Sequence, residues 1–86
     1  MAAADDLEGI RNYLYLHHPS FAAPTVQRLY EAAKSLKAFP NVGRADAKKG
    51  TRELVLAPLP YLLIYAVDEQ SIHILRFLHA AQSRPV

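Results

Sequence analysis

Hydrophobic positions in the first half of the chain recur every three or four residues, which is the period of an α-helix. The first apolar face consists of Ala3, Leu7, Ile10, Leu14 and His17. Acidic side chains near its start suit the positive end of a helix dipole. The pattern predicts a helix over residues 3–16 that ends before Pro19, because a residue preceding proline avoids the helical conformation.

A second amphipathic segment follows Pro19. Its apolar stripe consists of Val26, Leu29, Tyr30, Ala33 and Leu36. The helix begins either near Ser20, with a kink at Pro24, or at Pro24 itself, with the proline in its first turn. It stops before the segment 39–43, which contains proline and glycine. Residues 3–38 are therefore predicted to form an antiparallel helical hairpin.

The period changes in the second half of the chain, where apolar runs typical of strands alternate with short turns. We predict strands over 51–56, 61–67 and 72–79, the middle one nearly all apolar and hence central. Strict alternation would place Ile72, Ile74, Arg76 and Leu78 on one face of the last strand. Short connections imply an antiparallel meander over residues 51–79. The expected fold is α+β, one domain over residues 1–86, with the helical hairpin packed on a three-stranded antiparallel sheet.

Composition excludes several classes of protein. A chain of 86 residues buries only about 60% of its unfolded surface, so it gains stability from a partner. It has no cysteine, which excludes disulfides and thiol chemistry, and it has no metal-ligand spacing and no glycine-rich phosphate loop. We therefore expect no metal and no cofactor. With neither a membrane-length apolar run nor a secretory signal, the expected location is the cytoplasm.

Charge is distributed unevenly along the chain. The net charge is only +2, yet Arg44, Lys48, Lys49 and Arg52 follow one another with Asp46 as the one acid among them. Such a segment suits phosphates or an acidic protein surface. A solvated loop is the simpler interpretation of the same charges.

Three side chains could carry chemistry. Arg76 interrupts an apolar strand, and Arg52 opens another, so each either holds a phosphate or carboxylate in its fork or extends into solvent. His79 ends the last strand and titrates near neutral pH, which suits an acid or base as well as an ordinary surface position. Tyr61 and Tyr65 share one face of the central strand, where packing over a helix is the simpler role.

Taken in order, several short motifs resemble the RelE/ParE superfamily of bacterial toxins over residues 3–82. They are Asp6-Leu7-Glu8-x-Ile10-Arg11-x-Tyr13-Leu14, His18-Pro19, Phe39-Pro40-x-Val42-Gly43-Arg44, Gly50-Thr51-Arg52-Glu53-Leu54, Tyr61-x-x-x-Tyr65 and Ile74-Leu75-Arg76-x-Leu78-His79. The resemblance implies the toxin of a type II toxin-antitoxin pair. Its antitoxin would wrap it with a flexible segment that folds on binding in an apolar groove between sheet and helices. The candidate antitoxin-binding residues are Leu54, Leu56, Tyr61 and Tyr65.

The superfamily divides by mechanism. RelE-like members cut messenger RNA on the ribosome, and the resemblance would then assign phosphate binding to Arg52 and Arg76 and acid-base catalysis to His79. ParE-like members poison DNA gyrase without chemistry of their own. The tail after His79 lacks the tyrosine of many RNA-cutting members, so gyrase is the favoured target. An inactive relative that only binds its antitoxin is the third possibility.

Basic side chains supply one further expectation, because contacts with the target or with nucleic acid are assigned to Arg44, Lys48, Lys49 and Arg84. The resemblance supplies another. The strand that usually precedes the first helix in this superfamily is missing here, which would leave an open sheet edge. A second copy of the chain or an antitoxin strand would cover that edge, unless the true start lies upstream.

Overall fold

The computed structural model describes residues 2–46 and 50–82. Two helices come first, α1 (Ala2–His17) and α2 (Pro19–Ser35). Four strands follow, β1 (Arg44–Ala45), β2 (Thr51–Val55), β3 (Tyr61–Val67) and β4 (Ile72–His79), and a 3₁₀ turn spans Ala80–Gln82. The strands form one antiparallel sheet in the order β1-β2-β3-β4. The predicted α+β fold is confirmed.

The helical hairpin has only His18 between its helices. Pro19 is the first residue of α2, where its missing N–H leaves no intrahelical bond unmade. Pro24 therefore lies inside α2, and the earlier of the two predicted starts is correct. The helix ends at Ser35 rather than Ala38, and the chain continues in tighter turns, with Leu36 N–H donating to Ala33 C=O.

The sheet has a fourth strand that the sequence did not predict. Arg44 and Ala45 pair with Glu53 and Arg52, so part of the basic segment for which a solvated loop was the simpler interpretation belongs to the sheet. A two-residue strand is too short to show alternation, which is why the pattern predicted three strands instead of four.

The last strand does not alternate strictly. Ile64 pairs with Arg76 and Tyr65 pairs with Ile74, so Leu75 is an extra residue in a β-bulge. The extra residue inverts the faces, and Ile72 and Ile74 therefore lie on the helix side with Phe77. The predicted grouping of Ile72 and Ile74 with Arg76 and Leu78 on one face is wrong for this reason.

The core lies between the hairpin and one face of the sheet. Its fully buried large side chains are Leu29, Leu36, Leu63 and Tyr65. Of the predicted helix stripes, Tyr30 is 54% exposed and His17 is also exposed, whereas the other positions are buried or partly buried. Within the described residues, no helix has both the length and the apolar character needed to cross a membrane.

Candidate functional site

The contact between α1 and β4 is centred on one carboxylate, that of Asp6. Arg76 donates from Nε to Asp6 Oδ2 at 2.6 Å and from Nη2 to Oδ1 at 2.8 Å. The backbone N–H of Phe77 also donates to Asp6 Oδ2, at 3.0 Å. Because β4 lies at one end of the described sheet, this N–H points away from β3, and Asp6 occupies the place of a strand partner.

The same contact determines the protonation of Asp6. The hydrogen bonds from the Arg76 side chain, together with the one from Phe77, hold the pKa of the Asp6 carboxyl below its usual value, although partial burial opposes them. The ionised carboxylate raises the pKa of Arg76 in turn. Both side chains are therefore charged at neutral pH, and the guanidinium fork of Arg76 is already occupied by a carboxylate.

A groove of about 630 Å³ lies between α1 and the end of β4. It is lined by Asp6, Tyr13, Tyr61, Arg76 and His79, among others. The His79 ring packs edge-on against Tyr61, with 5.5 Å between ring centroids, and His79 Nδ1 accepts a hydrogen bond from the Ala81 N–H at 3.0 Å. The groove therefore holds two of the three candidate catalytic side chains, Arg76 and His79.

The third candidate, Arg52, lies elsewhere. It pairs with Tyr65 on the helix side of the sheet, and β3 separates it from β4. Its Nη1 donates to the carbonyl of Gly43 at 2.7 Å and to that of Asn41 at 3.5 Å. The structure thus brings Arg76 and His79 to one groove but does not bring Arg52 to them.

The carbonyls that Arg52 binds lie in a tight turn and on the glycine that follows it. Val42 N–H donates to Phe39 C=O at 3.2 Å, with Pro40 at the position that proline favours in such turns. We call residues 39–42 the Phe39–Val42 turn. The buried hydroxyl of Tyr65 donates to Pro40 C=O and accepts from Gly43 N–H, both at 2.9 Å. Tyr65 is therefore both a core residue and the anchor of this turn.

A second groove lies between α2 and the first half of β4. This α2–β4 groove, of about 220 Å³, is lined by Tyr30, Ala33, Lys34, Leu36, Lys37, Ile72 and Ile74. A neighbouring cavity of about 550 Å³ shares Lys37 and Ile72 with it and extends to Pro40. The groove is apolar along its floor, carries two lysines, and runs toward the Phe39–Val42 turn.

The residues predicted to bind an antitoxin lie in or beside the core. Tyr61 is 6% exposed and Tyr65 is fully buried, and Leu54 and Leu56 are partly buried against the same cluster. Several large apolar side chains are exposed elsewhere, and those of Tyr30, Phe39 and Val42 lie in or near the α2–β4 groove and the Phe39–Val42 turn. The proline-containing Phe39–Val42 segment was a recognisable turn, and that pattern could have suggested exposure of its first and last residues.

The basic segment is only partly described. Arg44 is exposed and forms an ion pair with Glu53, with 2.6 Å between Nη2 and Oε1. The other predicted target contacts, Lys48, Lys49 and Arg84, lie outside the described residues. Among residues 2–46 and 50–82, no group of acidic, histidine or cysteine side chains could hold a metal ion.

Comparisons with known proteins agree with this architecture. The family described as the ParE toxin of the type II toxin-antitoxin system parDE matches residues 1–84. Toxin RelE2 of Caulobacter vibrioides is 41% identical over 80 residues, which cover 93% of this chain and 89% of that protein. The Sinorhizobium fredii protein Y4kP, described as a candidate toxin, is 38% identical over 79 residues, covering 92% and 81% respectively.

A solved structure is similar as well. The chromosomal ParDE TA system from P. aeruginosa contains a chain that superimposes with a TM-score of 0.80 at 31% identity. The match covers 91% of this chain and 87% of that one. With two helices packed on an antiparallel sheet and a family match over nearly its whole length, the chain belongs to the ParE toxins of type II toxin-antitoxin systems.

Proposed function

We propose that this toxin inhibits bacterial growth by binding DNA gyrase in the cytoplasm and that a cognate antitoxin neutralises it. Membership of the ParE family supports a protein target, since the ParE-like side of the superfamily acts on gyrase. The chain would then need a recognition surface and no catalytic centre.

The observation that carries the choice of mechanism is the engagement of the two arginines. A nuclease of the RelE kind needs free cations around the scissile phosphate. Arg76 holds Asp6 through Nε and Nη2, and Arg52, on β2, holds the carbonyl of Gly43. Both side chains therefore have structural roles in the free chain, which supports a binding toxin.

Purified chain and purified gyrase test this proposal directly. We expect the chain to inhibit the supercoiling of relaxed plasmid DNA by gyrase, or to trap cleaved DNA on gyrase. Either effect should occur at the chain concentrations at which the chain binds gyrase. Messenger RNA ends mapped after a pulse of expression without antitoxin should stay unchanged while growth stops. New ends in translated messages, with gyrase unaffected, would contradict the proposal.

The RNA-cutting alternative has one observation in its favour, because Arg76 and His79 line the same groove. Under that mechanism the ribosome would have to displace Asp6 from Arg76. Mapping messenger RNA ends after expression of the His79→Ala variant distinguishes the two mechanisms. If the chain is a nuclease that uses His79, the new RNA ends seen with the unchanged chain should disappear in this variant. Healthy growth on expression of the unchanged chain would instead identify a relative that only binds its antitoxin.

The α2–β4 groove is the antitoxin site that we propose. Its apolar floor and its exposed Lys34 and Lys37 fit an amphipathic segment that carries acidic side chains. Tyr30 stands at its rim, 54% exposed. A homodimer through the free edge of β4 remains a further prediction, although Asp6 already occupies the N–H of Phe77 on that edge.

A further inference from the structure

The Phe39–Val42 turn displays two large apolar side chains to solvent. Phe39 is 64% exposed and Val42 is 55% exposed, and they are the first and last residues of one hydrogen-bonded turn. Single exposed apolar residues are ordinary on a protein surface. The feature that distinguishes this pair is how firmly the turn beneath them is held.

Two side chains from the sheet form hydrogen bonds with the backbone that carries Phe39 and Val42 or adjoins them. Tyr65, itself fully buried, bonds both Pro40 C=O and Gly43 N–H, and Arg52 bonds Gly43 C=O. Gly43 packs so closely that a Cβ there would lie 2.8 Å from the Tyr65 hydroxyl and 3.0 Å from the Glu53 carbonyl. The turn is thus preorganised, which lowers the ordering entropy that binding would otherwise cost.

The surroundings of the turn are basic. Lys34 and Lys37 are exposed just before it, and Arg44 is exposed just after it. Two acids lie near. Glu53 is paired with Arg44, and Asp68 caps its own turn by accepting from the backbone N–H groups of Gln70 and Ser71. An apolar pair within a cationic rim is complementary to an apolar pocket bordered by carboxylates.

We infer that the Phe39–Val42 turn is the surface with which this toxin contacts its protein target, at an apolar pocket with an acidic border. The inference rests on the proposed function, since it requires a protein target, and it adds the contact surface and its positioning residues. Tyr65 and Arg52 act on binding through the turn they hold. The cavity beside the α2–β4 groove extends to Pro40, so an antitoxin segment that continued from the groove into this cavity would lie against the turn and compete with the target there.

The test compares matched variants of the whole chain. Phe39→Ser and Val42→Ser remove the exposed pair, and Phe21→Ser and Val55→Ser are their controls, since Phe21 is 63% exposed and Val55 is 52% exposed at other places in the fold. All are measured for thermal unfolding, growth arrest on expression, and inhibition of purified gyrase. We expect the turn variants to need at least about tenfold more protein for half-inhibition (a loss of about 1.4 kcal/mol in binding), while the controls match the unchanged chain.

A charge test and a positioning test complete the experiment. Lys37→Glu should weaken inhibition, and more so at low salt, whereas Arg11→Glu, the same charge change on α1, should not. Tyr65→Phe keeps the ring but frees the turn, so it should weaken gyrase inhibition at temperatures where circular dichroism shows a folded chain.

The outcomes separate this inference from the proposed function. If the unchanged chain arrests growth but does not inhibit gyrase, the choice of gyrase is wrong, and growth arrest by the same variants still tests the turn. If the turn variants arrest growth and inhibit gyrase as strongly as their controls do, the turn is not the contact surface. If the unchanged chain arrests no growth, both are wrong.

Discussion

Asp6 and Arg76, 70 residues apart in the chain, are joined by two hydrogen bonds of 2.6 and 2.8 Å that connect α1 to β4. The same carboxylate accepts from the N–H of Phe77, so one side chain both pairs a cation and satisfies a strand edge. This arrangement explains how the hairpin is oriented on the sheet and why the arginine that interrupts an apolar strand is tolerated there.

Removing the charge of Asp6 should loosen this connection. Asp6→Asn keeps the shape but weakens the bonds to Arg76, and we expect a loss on the order of 1 kcal/mol in the free energy of unfolding, measured by urea denaturation. Asp5→Asn, on an exposed neighbour, is the control and should change it little. Equal stability of the two variants would contradict a structural role for the Asp6–Arg76 pair.

The same carboxylate predicts how stability depends on pH. Folding lowers the pKa of Asp6, so as pH falls the unfolded chain binds the proton first, and stability is lost below about pH 4. Asp68, whose pKa is lowered to about 2 by bonds from the backbone of Gln70 and Ser71, contributes in the same direction between pH 4 and 2. Between pH 5 and pH 3, the free energy of unfolding of the Asp6→Asn variant should fall less steeply than that of the unchanged chain. An identical slope would rule out Asp6 as a contributor.

Two glycine-to-alanine substitutions should change the stability of the fold in opposite directions. Gly43→Ala places a Cβ against the buried Tyr65 hydroxyl and the Glu53 carbonyl, and overpacking of this kind costs about 1–3 kcal/mol. Gly9→Ala lies inside α1 with no atom within 4 Å of the new Cβ, and alanine is the better helix former by about 1 kcal/mol. Melting temperatures of the two variants check this. A Gly43→Ala variant as stable as the unchanged chain would mean that the turn is not tightly held.

A negative charge placed in the α2–β4 groove should weaken binding of the antitoxin more than binding of the target. Tyr30→Glu puts a carboxylate at the rim of the groove and should repel an acidic segment, so that a cognate antitoxin no longer rescues growth. Tyr15→Glu is a matched control, since both tyrosines are 54% exposed and Tyr15 lies on α1. Co-expression of each variant with the antitoxin measures rescue. Full rescue of Tyr30→Glu would place the antitoxin elsewhere.

Sequence patterns predicted the helices and three main strands because period and turn residues are local properties. The 3–4 spacing located α1 to within about a turn, and Pro58 and Pro60 marked the end of β2. The bulge at Leu75 was not predicted, since apolar residues fall on both faces of this strand and Arg76 indicated an interruption of one apolar face instead of an extra residue. The candidate site was predicted less well. Arg76 and His79 do share a groove, but the partners that occupy Arg52 and Arg76 come from distant parts of the chain.

Residue types and their spacing along the chain were enough for the two helices, the three longer strands and the toxin superfamily, because these depend on local patterns. What the charged and aromatic side chains do depends on the packing of the folded chain. It directed Tyr65 to the backbone of Pro40 and Gly43 and Arg52 to that of Gly43, which hold the Phe39–Val42 turn, and it brought Asp6 to Arg76. The role of a buried hydroxyl or of a paired guanidinium depends on the group to which it is hydrogen-bonded. Packing between elements that are far apart in the chain places that group, so a local sequence pattern does not reveal it.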